Sequence, residues 1–180
     1  YNVVFINDFK GIFVSSIENK ADTSIFYDEY NARNSYALKE NISYKIYGAD
    51  GKETDKDAIE KGDYISIAES YDKESVYIHI SRNSADVVLD KIKTEANGVL
   101  TLYTGDKEYK TVKDFYGKGN PKFSAGDAAI LYFDIFGCVA AAKRGENESI
   151  KTAYLIQLGE SRGLDKNIRL KMFTQNDKIE

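Results

Sequence analysis

This chain is poor in the residues that build disulfides, metal centres and rigid turns. Its 180 residues include one cysteine, one histidine, one proline and no tryptophan. A single cysteine excludes an internal disulfide, and a single histidine excludes any site that needs two imidazoles. One proline and no G-X-Y period exclude a collagen-like or proline-rich architecture. No run approaches the about 20 apolar residues of a transmembrane helix, so we expect no membrane-spanning segment in this chain.

The charge balance argues against a nucleic-acid partner. Lysine and arginine number 25 against 29 aspartates and glutamates, which gives a net charge of −4 and a pI of about 5.2. Opposite charges are interspersed, as in Asp55-Lys56-Asp57. Nucleic-acid binders usually carry a basic stripe that replaces counterions along the phosphates. We therefore predict a solvated surface of mixed charge and no nucleic-acid partner.

Hydrophobic periodicity favours strands over helices. Apolar residues alternate with other residues over 64–68 and 76–81, as expected for half-buried strands. The nearly continuous apolar run Ala129–Phe133 predicts a strand that is buried on both faces. Helical evidence is limited to one or two turns over Asp55–Lys61, capped by Asp55 and ended by Gly62.

An internal repeat is the most informative pattern. Gly62-Asp63 and Gly126-Asp127 each precede an apolar strand, and each follows an apolar residue three positions before the glycine. A glycine before an acidic residue allows the chain to reverse before it enters a sheet. Two further segments, Ser43-Tyr44-Lys45 and Glu108-Tyr109-Lys110, lie at similar distances before the two glycines. The sequence therefore predicts two copies of one small β-rich unit.

These patterns together predict an all-β chain with one or two helical turns. A small domain has to hide its sheet edges, so we expect tandem five-stranded barrels of the OB or SH3 type. The predicted organisation is a strand of a preceding or paired module over 1–9, a first module over 10–85, a second over 86–150, and the opening hairpin of a third over 151–180.

The strand phrases resemble a known kind of surface module. Lys61–Ile67, Ala125–Asp134 and Ala153–Thr174 are similar to the tandem β-modules of large secreted Firmicutes proteins that carry S-layer homology domains. In such proteins these modules lie between the surface-anchoring repeats and the other domains. The resemblance implies an extracellular, cell-wall-associated protein of a Gram-positive bacterium. It also implies that the modules act as spacers or interaction surfaces.

The residues offer little conventional catalytic chemistry. Cys138 lies in a small apolar segment and is expected to be a buried structural thiol. His79 alternates with the aliphatic residues of its predicted strand and is expected to face solvent. The acidic loop that contains Asp50, Glu53 and Asp55 lacks the residue spacing of an EF-hand. We therefore nominate no catalytic residue, no metal ligand and no cofactor.

Tyrosine is unusually abundant, with 14 residues in the chain. Several of them cluster near the N-terminus, and Tyr27, Tyr30 and Tyr36 are the candidate ligand-binding residues. Exposed aromatic rings can stack on sugars or form a protein interaction surface. Buried tyrosines instead fill the core and place their hydroxyls at its edge.

Three functions stay open at this point. The leading one is a non-catalytic extracellular β-module that acts as a spacer, adhesion or assembly element of a bacterial cell-surface protein. Its partner would be a cell-wall glycan or another surface protein. The alternatives are a glycan-binding module that uses exposed tyrosines and part of a carboxylate-dependent enzyme.

Overall fold

A computed structural model describes residues 9–95, 98–145, 153–160 and 168–174. In these ranges the regular secondary structure consists of β-strands and one 3₁₀ turn, so the all-β prediction is confirmed. The strands are β1 Lys10–Lys20, β2 Thr23–Asp28, β3 Ser35–Lys39, β4 Ser43–Tyr47, β5 Glu53–Thr54, β6 Tyr64–Glu69, β7 Ser75–Ser81, β8 Ser84–Val88, β9 Lys91–Thr94, β10 Leu100–Thr104, β11 Lys107–Lys110, β12 Ala128–Phe133, β13 Val139–Arg144, β14 Ala153–Glu160 and β15 Ile168–Thr174.

The first repeat forms a seven-stranded sheet in the order β3-β2-β1-β6-β7-β4-β5. Its long first strand, β1, pairs with both β6 and β2, and the register of the pairing with β2 shifts between Val14 and Ser16. Residues 10–13 pair with β6, and the rest of β1 pairs with β2. A shift of this kind bends a strand and increases its twist. Further along the sheet, β4 lies parallel to β7 over five residue pairs from Ser43 to Tyr47.

In the second repeat two separate strands, β8 and β9, make the pairings that the single strand β1 makes in the first repeat. β8 pairs with β12, and the following strand β9 pairs with β10, so Leu89 lies at the corner that Val14 occupies in β1. The resulting sheets have the orders β11-β10-β9 and β13-β12-β8. The parallel pairing of the first repeat is reduced here to a single bridge between Thr111 and Val139.

The two Gly-Asp turns occupy equivalent places. The Gly62 amide donates to the Val14 carbonyl over 2.8 Å, and the Gly126 amide donates to the Leu89 carbonyl over 2.7 Å. Both glycines have a positive φ, +95° and +92°, which glycine adopts without the steric cost of a side chain. The hydrogen bonds therefore show that the repeated dipeptide performs one structural task twice.

Each turn is also held by an arginine. The Asp63 carboxylate accepts a 2.8 Å hydrogen bond from Arg82 and one from the Glu60 amide. In the second repeat the Asp127 carboxylate accepts from Arg144 over 3.2 Å and from the Ser124 amide. Both arginines donate in addition to a main-chain carbonyl, that of Ala58 or of Lys122.

The tyrosine part of the predicted repeat is wrong. Tyr44 lies on β4, which pairs in parallel with β7, whereas Tyr109 lies on β11, which pairs antiparallel with β10. The two residues therefore belong to different positions in the two repeats. Short polar strand segments of this kind are common, so this part of the likeness was too weak to fix a correspondence.

Each repeat has its own core, and a third cluster joins them. The first core consists largely of isoleucines, and the second includes Leu131 and Phe115. The joining cluster contains Phe13 and Tyr64 from the first repeat with Ala140 and Ala141 from the second. Residues up to 145 accordingly form one compact unit.

The predicted tandem barrels are not confirmed, because no sheet within the described ranges closes into a barrel. Two other predictions need correction. The helical segment is shorter than expected, a 3₁₀ turn over Lys56–Ala58, although Asp55 does cap it by accepting from the Lys56 amide. β12 is fully buried on one face only, because Ala129 and Leu131 are buried while Ile130 and Tyr132 are half-buried.

The described C-terminal residues, 153–160 and 168–174, belong to a second unit, in which β14 pairs antiparallel with β15. Whether this pair opens a third module stays a prediction, and the strand predicted over 1–9 lies almost wholly outside the described residues. Among the residues described, no helix has the length and apolar character needed to cross a membrane.

Candidate functional site

A cleft of about 430 Å³ lies between the two repeats. Its walls come from the start of β1 and β6, from the connection between β2 and β3, and from two segments of the second repeat around Gly117 and Ala140. It is mixed in character, with aromatic rings, amides and charged side chains. Ligand sites often combine these features. In such sites an apolar surface contacts the ligand, and a few polar groups orient it.

Asp28 organises the wall that follows β2. One carboxylate oxygen accepts from the Tyr30 amide over 2.9 Å and from the Asn31 amide over 3.1 Å. The other accepts from the Phe13 amide and the Asn34 side chain, both over 3.2 Å. Four donors therefore converge on this carboxylate, which fixes the turn as an Asx-type structure.

Asn34 and Gly11 hold the connection between β2 and β3 close to the start of β1. The Asn34 side-chain amide donates to the Gly11 carbonyl over 3.1 Å, which ties the connection to β1. A Cβ atom on Gly11 would lie 1.7 Å from the Tyr64 hydroxyl oxygen. Only glycine at this position allows the Tyr64 ring to lie across β1.

Tyr30 crosses from the first repeat to the second. Its hydroxyl donates to the Ala142 carbonyl over 2.5 Å, and its ring stacks on Phe13 with the centroids 6.0 Å apart. Burial, followed by the nearby Glu29, raises the pKa of the Tyr30 phenol. The residue therefore stays a neutral hydrogen-bond donor, and it holds the two repeats together.

The Tyr64 hydroxyl is the unusual polar group of the cleft. The side chain is only 6% exposed, and no hydrogen-bond partner for its hydroxyl occurs among the described residues. Burial, followed by Asp134 and Asp28, raises the pKa of this phenol. The hydroxyl thus lies over Gly11 at the base of the cleft as an uncommitted, neutral donor.

Three cations line the cleft: Lys10, Arg33 and Lys118. The Lys10 ammonium donates to the Ser35 carbonyl over 2.7 Å and lies 5.7 Å from the centroid of the Tyr36 ring. Arg33 and Lys118 are exposed, and their side chains have no acidic partner in the part of the chain that the structure describes. Asp28 is the carboxylate of the described lining.

The three candidate tyrosines do not share one surface. Tyr36 is 7% exposed on the core side of β3, and its hydroxyl donates to Glu69. Tyr27 lies on the other face of β2, half-buried, with its hydroxyl donating to Glu18 over 2.7 Å. Tyr30 alone of the three lines the cleft. Ligand binding by these residues stays a prediction.

His79 lies on the face of its strand that the alternation predicts, but it is half-buried rather than facing solvent. It is on the face of β7 opposite the aliphatic residues, and its ring stacks on Tyr47 with the centroids 4.8 Å apart. The pKa of His79 is lowered by burial.

Cys138 differs from its prediction. It is half-buried in the turn before β13 rather than buried within a strand. Its amide donates to Asp134, and burial followed by that carboxylate raises the pKa of the thiol. A raised thiol pKa reduces the thiolate fraction, which is the nucleophilic form.

The acidic loop after β4 is occupied by its own contacts. Asp50 accepts from the Lys52 amide, Glu53 pairs with Lys45, and Asp55 caps the 3₁₀ turn. Within the described ranges, no group of three or more histidine, cysteine, aspartate or glutamate side chains could hold a metal ion.

The sequence did not indicate Arg33, Lys118, Asn34 or Tyr64 as members of one site. Arg33 and Lys118 are far apart in the sequence, and each reads as an ordinary surface charge. The one usable signal was the repeat itself, since a chain with two fused copies is expected to have a groove between them.

Comparisons with known proteins add no relative. Neither a family model, nor a curated protein, nor a solved structure matches this chain.

Proposed function

We propose that this chain is a non-catalytic tandem β-module of an extracellular, cell-wall-associated bacterial protein. In this proposal it serves as an adhesion element that holds a cell-wall glycan in the cleft between its repeats. The two repeats would be opened relatives of small five-stranded barrels, in which the corners at Val14 and Leu89 mark where the sheet turns.

The observation that carries the proposal is the composition of the cleft. Saccharides are bound by amides and charged groups that hydrogen-bond their hydroxyls, together with aromatic rings that cover their apolar faces. The cleft offers the Asn31 side-chain amide, the Asn34 side-chain oxygen, the Tyr64 hydroxyl and the ring of Tyr30, whereas the Asn34 amide nitrogen already donates to Gly11 and Asp28. Its carboxylate, Asp28, is engaged by four donors and acts as a structural acceptor. The described lining therefore favours binding over acid–base chemistry.

A spacer role is compatible with the same geometry. Tyr30 bonds the second repeat through Ala142, and Glu29 pairs with Lys143 at 3.5 Å. These contacts, with the shared cluster around Phe13, join the two repeats into one unit. A joined pair transmits position along a surface protein better than two modules on a free linker.

The test is retention of the purified protein on isolated Gram-positive cell walls. Asn31→Trp places a large ring at an exposed position of the cleft, and we expect it to reduce retention at least tenfold. The matched control is Ala32→Trp, which changes the exposed neighbour that does not line the cleft. Changing Tyr27, Tyr30 and Tyr36 together is a poorer test, because Tyr36 is buried and Tyr30 joins the repeats.

Two results would overturn the proposal. One is the absence of any retention of the unaltered protein on walls. The other is retention of Asn31→Trp equal to that of Ala32→Trp when both variants show unchanged unfolding curves.

A further inference from the structure

The charge of the cleft is opposite in sign to that of the whole chain. The chain carries a net charge of −4, yet the described lining of the cleft combines Lys10, Arg33 and Lys118 with the carboxylate of Asp28. The Asp114 carboxylate lies beside Gly117 but is not part of the described lining. A concave site with an excess of one charge concentrates ligands of the opposite charge.

Several cations elsewhere in this unit pair with an acidic neighbour. Examples are the pairs Lys45–Glu53, Lys56–Glu40, Arg82–Asp63, Lys143–Glu29 and Arg144–Asp127. Arg33 and Lys118 have no acidic partner within the described ranges; the same is true of Lys39 and Lys107, but those two lie outside the cleft. The charges of Arg33 and Lys118 are therefore free to act on a ligand.

The remaining donor in the cleft fits the same kind of group. The Tyr64 side chain is 6% exposed, lines the cleft, and has no hydrogen-bond partner for its hydroxyl among the described residues. The hydroxyl can therefore donate to a ligand without first breaking a bond within the described part of the chain. Arg33 adds a planar fork of N–H donors, which matches the oxygens of a carboxylate or a phosphate.

A nucleic acid suits the cleft less well than an acidic saccharide. Nucleic-acid sites neutralise several phosphates along a basic stripe. Here a cleft of about 430 Å³ has two cations in its described lining without an acidic partner or side-chain hydrogen bond, Arg33 and Lys118, and amides that suit hydroxyl groups lie in the same lining.

We propose that the cleft between Arg33, Lys118 and the Tyr64 hydroxyl selects a saccharide or polyol polymer that carries an anionic group, a uronate carboxylate or a phosphodiester. The inference rests on the proposed function and narrows its ligand. The guanidinium and the ammonium bind the anionic oxygens, and the Tyr64 hydroxyl donates to the same group or to a neighbouring hydroxyl. The Asn31 side-chain amide and the Asn34 side-chain oxygen bind the uncharged part of the repeating unit.

The experiment measures binding of the full chain to four defined polymers at low and physiological salt. They are polygalacturonate, poly(glycerol phosphate), neutral dextran and single-stranded DNA. We expect binding to one or both of the first two, weakening as salt is raised, and at least tenfold weaker binding to dextran and DNA. The two acidic polymers separate the carboxylate source from the phosphodiester source.

Charge-neutral variants identify the cleft as the site. The double variant Arg33→Gln/Lys118→Gln should weaken binding of the acidic polymer at least tenfold and flatten its salt dependence. The control pair Lys39→Gln/Lys107→Gln changes the net charge equally at exposed positions outside the cleft and should bind normally. Tyr64→Phe should weaken binding roughly fivefold. It should leave the unfolding curve unchanged, because its hydroxyl has no described partner to lose.

Failure of this inference is distinguishable from failure of the proposed function. Equal binding of dextran, preferential binding of DNA, or equal effects of the two double variants would overturn the inference. Retention on walls that is undiminished after their anionic polymers are removed would also overturn it and leave glycan binding in place. Absence of binding to any wall would overturn both proposals.

Discussion

The two repeats have the same Gly-Asp turn, and in each the turn leads into a hairpin, β6–β7 or β12–β13. The second strand of that hairpin, β7 or β13, has a different neighbour in each repeat. In the first repeat β4 lies along β7 and bonds it in parallel over five residue pairs. In the second repeat the strand contact is one bridge at Thr111 and Val139. Beyond that bridge the side chain of Asn120 takes over. It accepts from the Ala142 amide over 2.9 Å and donates to the Ala140 carbonyl over 3.4 Å.

This difference explains where the cleft lies. A strand covering β13 would occupy the space beside Ala140 and Ala142, as β4 does beside β7. The buried side chain of Asn120 bonds the Ala142 amide and the Ala140 carbonyl at this edge of β13 instead. The Ala142 carbonyl is left to accept from the Tyr30 hydroxyl of the first repeat. The comparison teaches that the cleft lies where the described part of the second copy has a single bridge in place of a strand equivalent to β4, and where Tyr30 of the first copy reaches in.

The largest expected effects come from the cores that the repeats have in common. Ile67 and Leu131 occupy equivalent positions after the two Gly-Asp turns, and both are essentially buried. Replacing either by alanine should lower the free energy of unfolding by roughly 2–5 kcal/mol. Ile130→Ala, at a half-buried position of the same strand, should cost about 1 kcal/mol and serves as the control.

Chemical denaturation followed by fluorescence and circular dichroism measures these losses. Because the cluster around Phe13 and Tyr64 joins the repeats, residues 9–145 should unfold in one transition in every variant. Two separated transitions would show that the repeats unfold independently, and would contradict the joining role given to the cluster around Phe13 and Tyr64.

The next effect tests the amide that replaces a strand. Asn120 is 6% exposed and bonds Phe115, Ala140 and Ala142 through their main-chain atoms. Asn120→Ala leaves these groups without a partner and should cost roughly 2–4 kcal/mol. The same substitution at exposed Asn31 is the control and should cost less than about 1 kcal/mol. A loss at Asn120 no larger than at Asn31 would contradict the role given to this amide.

A smaller effect separates the two arginine-held turns. The side chain of Asp63 is 6% exposed, whereas that of Asp127 is 29% exposed. Asp63→Ala should therefore cost about 2–3 kcal/mol in unfolding free energy, because it removes charge-assisted hydrogen bonds from a dry position. Asp127→Ala should cost about 1 kcal/mol, since water competes for its partners. Equal losses in denaturant unfolding would show that burial does not distinguish the copies.

The smallest effect concerns the single histidine, which only the first repeat contains. Burial lowers the pKa of His79 below the ordinary value of 6.5, so the folded state binds fewer protons than the unfolded state near that pH. Its contribution to stability is therefore present above the unfolded pKa and is lost as the pH falls through the folded pKa. The titration of the one imidazole resonance by NMR measures this directly.

The partner of His79 provides the control for that titration. Tyr47 lies on β4 and covers the imidazole, so Tyr47→Ala should move the pKa of His79 back toward 6.5. A pKa at or above 6.5 in the unaltered protein would contradict the stacked, partly buried environment.

The sequence predicted those features that short-range chemistry determines. Alternation located β6 and β7, and the Asp55 cap located the 3₁₀ turn. The Gly-Asp dipeptides marked a true repeat because a positive φ at this point strongly favours glycine. In each case the determining contact lies within a few residues along the chain.

The features that were missed depend on distant partners. The apolar side chain of Ile130 led to the prediction that both faces of β12 are buried. In the structure the face of β12 that carries Ile130 is only partly covered. The cleft joins Arg33 to Lys118, and no local pattern links residues so far apart. The place of Tyr36 in the core also depends on β2, which lies beside it.

The bend in β1 has a consequence for the order of folding. The part of β1 beyond the bend forms a hairpin with the adjacent β2, a local contact that closes quickly. The part before the bend has to wait for β6, which the chain supplies only after β3, β4 and β5. One strand thus combines a local pairing with a pairing that closes a long loop, and we expect the second to form later.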